Sequence, residues 1–398
     1  RDLFEPNTPN VAGIRPFASN ADLWQARLSD AWLDHVARVV EMAAEIGLVM
    51  ALLPTWGDKW NEESNSAGPV IMDADKGYRY GRRLSDRLGV YHNIIWVMGG
   101  DSPITTREHV AVLNAMAQGI RDGGGGDRPM TLHPTGNGSS AALHACPWLD
   151  MHAAQSGHAL VNSADYAMLE QLSQLRPRKP CMIIEPNYEV CPMFISQEPG
   201  AVSPSVPLFG AHDVRKSYYR SVLAGGAGFT YGCDPIRQCR RHGDRCHAHD
   251  WPDMPPWYEV LDAPGSSQLA LLADILLQRS YFTRIPAQEA IIPVISVGAR
   301  AEDCRNVDPI SHVRVARCSL GSYMLAYIPV RQAIALDTTV LAEGPLRVSV
   351  YHPAEARRTQ QFTCDNPGKF IFVPEWDLDC LLVIDVDKPH ADQLPTGD

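Results

Sequence analysis

With 398 residues, 45% hydrophobic and 20% charged, the chain has an ordinary globular make-up. It is long enough for a barrel of about 250 residues plus a smaller domain. A net charge of −11 argues against nucleic acid or an anionic membrane as partner, though not against an anionic polysaccharide, and no apolar run approaches the ~18 residues of a spanning helix.

Residues 1–22 are rich in Pro and Asn and read as an irregular loop over a barrel mouth. No signal peptide is visible, and the opening Arg1-Asp2-Leu3 reads as a processed or truncated start. Asp30 to Glu45 is an amphipathic helix with Trp32, Val36, Val39, Val40 and Ala43 on one face, stopped by Gly47. A strand from Leu48 to Leu53 delivers Trp56, Asp58 and Trp60 to its C-terminal end. Tyr78 to Leu88 is the next helix and leads into Ile94-Ile95-Trp96-Val97-Met98-Gly99-Gly100-Asp101. That stretch reads as a strand buried on both faces, turned sharply by two glycines, with Asp101 at its mouth. His109 to Arg121 is helical, and Gly123–Gly126 follows as a flexible connector, without the Gly-Lys-Ser/Thr of a phosphate loop.

Met130 to His133 is a strand carrying His133 at its end, and Leu149 to Gln155 is another, carrying His152 and Gln155. Tyr166 to Leu175 has helical spacing, broken at Arg176-Pro177. Cys181-Met182-Ile183-Ile184-Glu185 is then a second apolar strand that ends in a carboxylate, followed by Pro186-Asn187-Tyr188. Val214 to Leu223 is a helix, and Phe229 to Gly232 the last strand of this series. After a Trp/Pro-rich crossover, Gln268 to Gln278 forms a helix that closes the barrel. From about residue 290 the pattern changes to short strands: Ile291–Val297, His312–Ala316, Tyr323–Ile328, Val348–Tyr351, Lys369–Val373 and Leu381–Val386. Their alternation and turn residues indicate a small antiparallel β-sandwich.

Strands alternating with helices make the first part an α/β (β/α)8 barrel, residues 1–287. The sandwich spans 288–390, and 391–398 is a polar tail. Six barrel strands are visible, so the expected first βαβ unit lies upstream of Arg1 or is replaced. On that count Asp101 ends the fourth strand and Glu185 the seventh.

In such a barrel, catalytic groups come from the C-terminal ends of strands. Two carboxylates placed so supply what glycoside cleavage needs: a proton for the leaving oxygen and a negative charge beneath the oxocarbenium ion. Asp101 is the candidate acid/base and Glu185 the candidate nucleophile, and a separation of about 5–5.5 Å gives retention of configuration. Trp56 offers an aromatic floor for a sugar. His133, His152, Gln155 and Tyr188 are candidates for hydroxyl contacts, and Tyr231 for orienting Glu185. Glu189, Asp58 and Asp234 are rival carboxylates that read better as loop residues. Cys233, Cys239 and Cys246 share a loop with His242, His247 and His249, but the spacing matches no known zinc motif, and a disulfide or free thiols fit better. No metal and no cofactor is expected. The cysteines leave the compartment open, with an extracytoplasmic one favoured.

The order of motifs resembles the apiosidase-like barrel family, whose characterised branch is glycoside hydrolase family 140. The resemblance rests on Leu53-Pro54-Thr55-Trp56-Gly57, Asn93 through Asp101, Ile184-Glu185-Pro186-Asn187-Tyr188-Glu189, Ala224 through Gly232, and Asp262-Ala263-Pro264-Gly265-Ser266. The later strands, with Leu325-Ala326-Tyr327-Ile328-Pro329 and Tyr351-His352-Pro353, are similar to a module usually named for collagen binding, read here as a packing accessory domain. The resemblance spans residues 15 to 387. It departs from the family's pattern at the opening strand with its Trp-bearing loop, which is absent, and at the sandwich's Trp-x-Asp-Pro signature. It implies a retaining glycosidase acting on a plant-type glycan or glycoside, a pectic side chain among them, with a terminal apiosyl unit as substrate. A non-catalytic carbohydrate-binding barrel is the alternative.

Overall fold

The structure is a computed structural model and describes residues 7–64, 68–158, 162–193, 207–244, 254–293 and 310–387. The fold is mixed α/β. The chain divides into two compact units: Arg1–Gln155 with Gln174–Ile184, and Ser156–Ser173 with Glu185–Asp398.

In the first unit, helices Asp30–Glu45, Ala74–Leu88 and Arg107–Asp122 alternate with strands Met50–Leu52, Ile94–Gly99 and Met130–His133. Each helix starts where a short polar side chain takes an otherwise unpaired N–H. Ser29 accepts from Trp32, Asp73 from Lys76 and Thr106 from His109. The last two helices therefore begin earlier than their apolar spacing suggests. Helix Asp30–Glu45 buries Leu33, Ala37, Val40 and Ala43. Val39, expected on that face, is instead 42% exposed, and Trp32 and Val36 pack only at the margin of the core. Helices Ala74–Leu88 and Arg107–Asp122 approach so closely that a Cβ on Gly81 would lie 2.2 Å from Met116 O, and one on Gly119 2.1 Å from Tyr78 O.

The three strands pair in parallel, Met50↔Ile94 and Trp96↔Met130 setting the registers. Met130 O accepts from Asp150 N–H at 2.9 Å, which carries the chain into strand His152–Gln155; that strand pairs in parallel with Cys181–Ile183. The glycine run after Asp122 is a built turn and not a loose connector, since Gly125 N–H donates to the buried Ser85 Oγ at 2.8 Å.

In the second unit, strands Arg357–Cys364, Leu346–His352, Cys380–Val386, Tyr323–Ile328, Arg314–Cys318 and Arg284–Pro286 form one antiparallel sheet in that order. Lys369–Phe372, Ile334–Asp337 and Ile291–Ile292 form a second. Alternate residues of Tyr323–Ile328 show why the large sheet has two apolar faces. Met324, Ala326 and Ile328 join a cluster with Ile334, Leu336 and Phe370 of the second sheet. Tyr323, Leu325 and Tyr327 join Tyr219, Leu223, Leu272 and Ile275 of helices Ala211–Leu223 and Ala270–Leu277. Residue 287, where the sequence pattern changes, thus lies inside this unit. The helix expected over Gln268–Gln278 is broken at Leu269 into Pro264–Gln268 and Ala270–Leu277. Strands Arg284–Pro286, Ile334–Asp337 and Arg357–Cys364 were not expected. The expected strand His312–Ala316 runs over Arg314–Cys318 instead. Residues 294–297 of the expected Ile291–Val297 strand, and the tail, lie outside the described residues.

Candidate active site

In the first unit, the strand Ile94–Gly99 ends in three successive left-handed residues, Gly99 (φ +92°), Gly100 (φ +111°) and Asp101 (φ +46°). A Cβ at Gly99 would lie 2.6 Å from His133 O, and one at Gly100 2.7 Å from Gly57 N, so both positions demand glycine. Short polar side chains tolerate the left-handed region best, which suits Asp101 to the third position. The turn is pinned on all sides: Trp60 Nε1 donates to Gly99 O at 3.1 Å, Gly57 N to Gly100 O at 3.0 Å and Gly100 N to His133 O at 3.2 Å.

Asp101 Oδ1 accepts from Gln155 Nε2 at 3.1 Å, and its own N–H donates to His133 Nδ1 at 3.2 Å. The His133 ring lies 5.5 Å from that of Trp56, tilted by 57°, and Trp56 is 41% exposed. The structure therefore brings Asp101, Gln155, His133 and Trp56 together. Asp58, a rival carboxylate, is buried and held by Lys59 Nζ at 2.7 Å and Gly68 N–H at 3.1 Å.

His152 is not with them. It opens the strand whose C-terminal end is Gln155, and it is wholly buried. Its neighbours fix every hydrogen in a relay. Arg176 O can only accept, so in its neutral form His144 carries its hydrogen on Nε2, at 2.8 Å, and its Nδ1 is bare. His152 Nε2 then donates to that nitrogen at 2.9 Å, and His152 Nδ1 accepts from Ser140 Oγ at 2.7 Å. Both ring nitrogens are used internally, so the expected sugar contact is replaced by a structural role. Burial, with the cationic forms of His144 and Lys179 nearby, pushes the His152 ring down to about 4.

In the second unit, Glu185 follows two residues after strand Cys181–Ile183. Its main-chain oxygen accepts from Gly157 N–H at 2.9 Å, and Asn187 Nδ2 donates to Gly157 O at 3.0 Å, so the two chain segments are clamped together. His158 Nε2 lies 3.1 Å from Glu185 Oε1, and its ring centroid 4.3 Å from that of Tyr188. Tyr188 is buried, with the Arg237 guanidinium 5.8 Å from its ring, and burial raises its hydroxyl well above the ordinary range. His158 was not singled out in the sequence. Its signal was a histidine three residues beyond Gln155, itself a strand-end residue.

Tyr231, expected to orient Glu185, donates instead to Glu189 Oε2 at 2.7 Å. Glu189 is buried and also accepts from Gly265 N–H at 3.0 Å. Asp234 holds Arg237 Nε at 3.0 Å and Gln238 Nε2 at 2.6 Å. Both are thus structural carboxylates. Cys233 and Cys239 are free thiols, and burial pushes the former up to about 11. Cys246, His247 and His249 lie outside the described residues. Among the described residues, no group of three or more His, Cys, Asp or Glu is arranged to hold a metal ion.

A family model described as "Apiosidase-like, catalytic domain" matches residues 1–283. No curated protein matches the chain. A solved structure described as "Glycoside hydrolase" superposes with a TM-score of 0.79 at 24% identity, covering 96% of this chain and 83% of that one. A glycoside hydrolase family 5 structure from Bacteroides vulgatus gives 0.79 at 23% identity, covering 97% and 81%. At these identities the likeness shows a shared fold.

Proposed function

We propose that this chain, which belongs to the apiosidase-like family and is a glycoside hydrolase, cleaves its carbohydrate substrate with retention of configuration through Asp101 and Glu185. Six strands with helices between most of them are read as strands of a (β/α)8 barrel within residues 1–287, and the two antiparallel sheets as an accessory β-sandwich over 288–390, to which Arg284–Pro286 adds one strand from just before that boundary. One observation carries the assignment: a carboxylate held at a strand's end in a left-handed conformation, behind two obligatory glycines, with Gln155 donating to it and an exposed indole nearby. Strained backbone of this kind concentrates at functional sites.

The proposed reaction has two steps. Asp101, as the carboxylic acid, gives its proton to the glycosidic oxygen while a Glu185 oxygen attacks the anomeric carbon and the leaving alcohol departs. A glycosyl ester on Glu185 results. Asp101, now a carboxylate, takes a proton from water, whose oxygen displaces Glu185; both carboxyl groups return to their starting states. Trp56 presents its face to the sugar ring, and His133, Gln155 and Tyr188 bind hydroxyls. The best single substrate is a terminal apiosyl unit on a pectic side chain or plant glycoside, as the family implies.

The test is product release from aryl glycosides and pectic side-chain oligosaccharides by the wild type, Asp101→Ala and Glu185→Ala. Both variants are expected to bind substrate yet lose turnover by at least about 10³-fold, a conservative share of the total rate enhancement of a glycosidase. Near-normal turnover by either contradicts its assigned role.

A further inference from the structure

Two histidines of this chain, His152 and the partly buried His158, use their rings differently. His152 spends both nitrogens on internal partners, as a purely structural histidine does. His158 spends one. Its Nε2 meets Glu185 Oε1 at 3.1 Å, while its Nδ1 is buried with no hydrogen-bond partner among the described residues. A carboxylate only accepts, so the Nε2 atom carries the hydrogen of that bond. The side chains of both residues are only 15% exposed, which keeps competing water away from the contact. The histidine ring leans on Tyr188, and Tyr188 is itself fixed: a Cβ on Gly232 would lie 2.1 Å from its ring, so only glycine lets it sit there. The Gly157–Glu185 and Asn187–Gly157 bonds hold the main chains on either side. Tyr188 and the clamped main chains hold the His158 ring in place, and among the described residues its one polar side-chain contact is the Glu185 carboxylate.

We infer that His158 is a positioning residue for the nucleophile: it grips Glu185 Oε1 from a rigid seat on Tyr188 and fixes the direction in which the carboxylate attacks. The inference rests on the reading of Glu185 as nucleophile. Its role needs a donor at the place of Nε2 and not merely a filled space. A glutamine amide nitrogen reaches about as far from Cβ as Nε2 does, whereas an asparagine amide reaches only as far as Nδ1.

The experiment compares kcat and KM for His158→Gln and His158→Asn, on the 4-nitrophenyl glycoside that the wild type turns over fastest, with thermal unfolding as the check on folding. His158→Asn is expected to lower kcat by roughly 10–100-fold with little change in KM, the scale of a misplaced reacting group. His158→Gln is expected to restore most of that loss. The same substitutions are then made in Glu185→Ala, with azide supplied as an external nucleophile. There, His158→Asn is expected to leave the azide-dependent rate within a factor of about two, because no carboxylate remains to be positioned. Wild-type kcat in His158→Asn overturns the inference, and so does an equal slowing of the azide reaction. Normal hydrolysis by Glu185→Ala without azide overturns instead the reading on which it rests. If His158→Asn fails to fold, the His158→Gln comparison in both backgrounds decides alone: a large loss of kcat despite normal folding overturns the inference.

Discussion

The Tyr231 hydroxyl donates to Glu189, at 2.7 Å, and Gly265 N–H completes the set of donors around that buried carboxylate. Glu189 N–H in turn donates to Gly232 O, and Asp234 N–H to Glu189 O. Glu189 thereby ties three stretches of chain: its own, 231–234 and 263–265. Tyr231→Phe leaves a buried carboxylate short of one donor and is expected to cost about 1–3 kcal/mol of stability. Urea unfolding measures the cost. The shape of the pH–activity profile should stay as in the wild type; a displaced limb with unchanged stability would return Tyr231 to the catalytic apparatus.

Gly100 makes a second prediction. Alanine there must adopt φ +111° and place its methyl 2.7 Å from Gly57 N. Gly100→Ala is expected to lower stability by at least ~1–2 kcal/mol and to cut kcat by about 10²-fold through displacement of Asp101. Thermal unfolding and steady-state kinetics read the two effects. Wild-type kcat would separate the turn from the chemistry.

Acid should unfold the chain partly through two histidines. Burial holds His152 down at about 4 and His312 at about 3, against an ordinary 6.5. His312 stacks on Tyr166 at 4.0 Å, with Arg220 and Arg314 close by, and neither ring nitrogen has a partner among the described residues. Both values are depressed, so the unfolded chain takes up protons first. The stability these residues contribute is complete above about pH 6.5 and is lost as pH falls towards 4 and then 3, on the order of a few kcal/mol in all. His312→Phe keeps the stack and removes the titration. It is expected to flatten the fall in the urea midpoint between pH 6.5 and 4; an unchanged slope contradicts the assignment.

Arg215 and Asp379 form a buried two-pronged pair, both bonds 2.8 Å long, and Tyr327 OH adds a third donor to the carboxylate at 3.0 Å. Removing one partner strands the other's charge. Asp379→Ala is expected to cost about 3–5 kcal/mol in urea unfolding, with the turnover of the folded fraction unaffected.

The first unit was legible where burial is two-sided. Ile94–Gly99 and Cys181–Ile183 are continuous apolar runs, and Gly99-Gly100 announced the turn at Asp101. Strand Arg357–Cys364 was not, because it is an edge strand with mostly exposed side chains and so has neither an apolar run nor alternation. The helix starts at Asp73 and Thr106 were hidden because caps act one turn ahead of the apolar stripe. Gln155 and His133 were picked out by their places at strand ends, and both lie beside Asp101. His152 was misjudged because its strand begins there, and no local pattern says which end of a short run is the mouth. Tyr231 was misjudged because Glu185 and Glu189 differ only in which donors the distant chain brings to them.

The claim that a carboxylate pair works by double displacement is tested most directly by proton NMR of wild-type hydrolysis in progress. The first sugar released should carry the substrate's own anomeric configuration, with the other anomer appearing only later by mutarotation. Initial appearance of the opposite anomer would contradict Glu185 as a nucleophile and require it to act as a base on water.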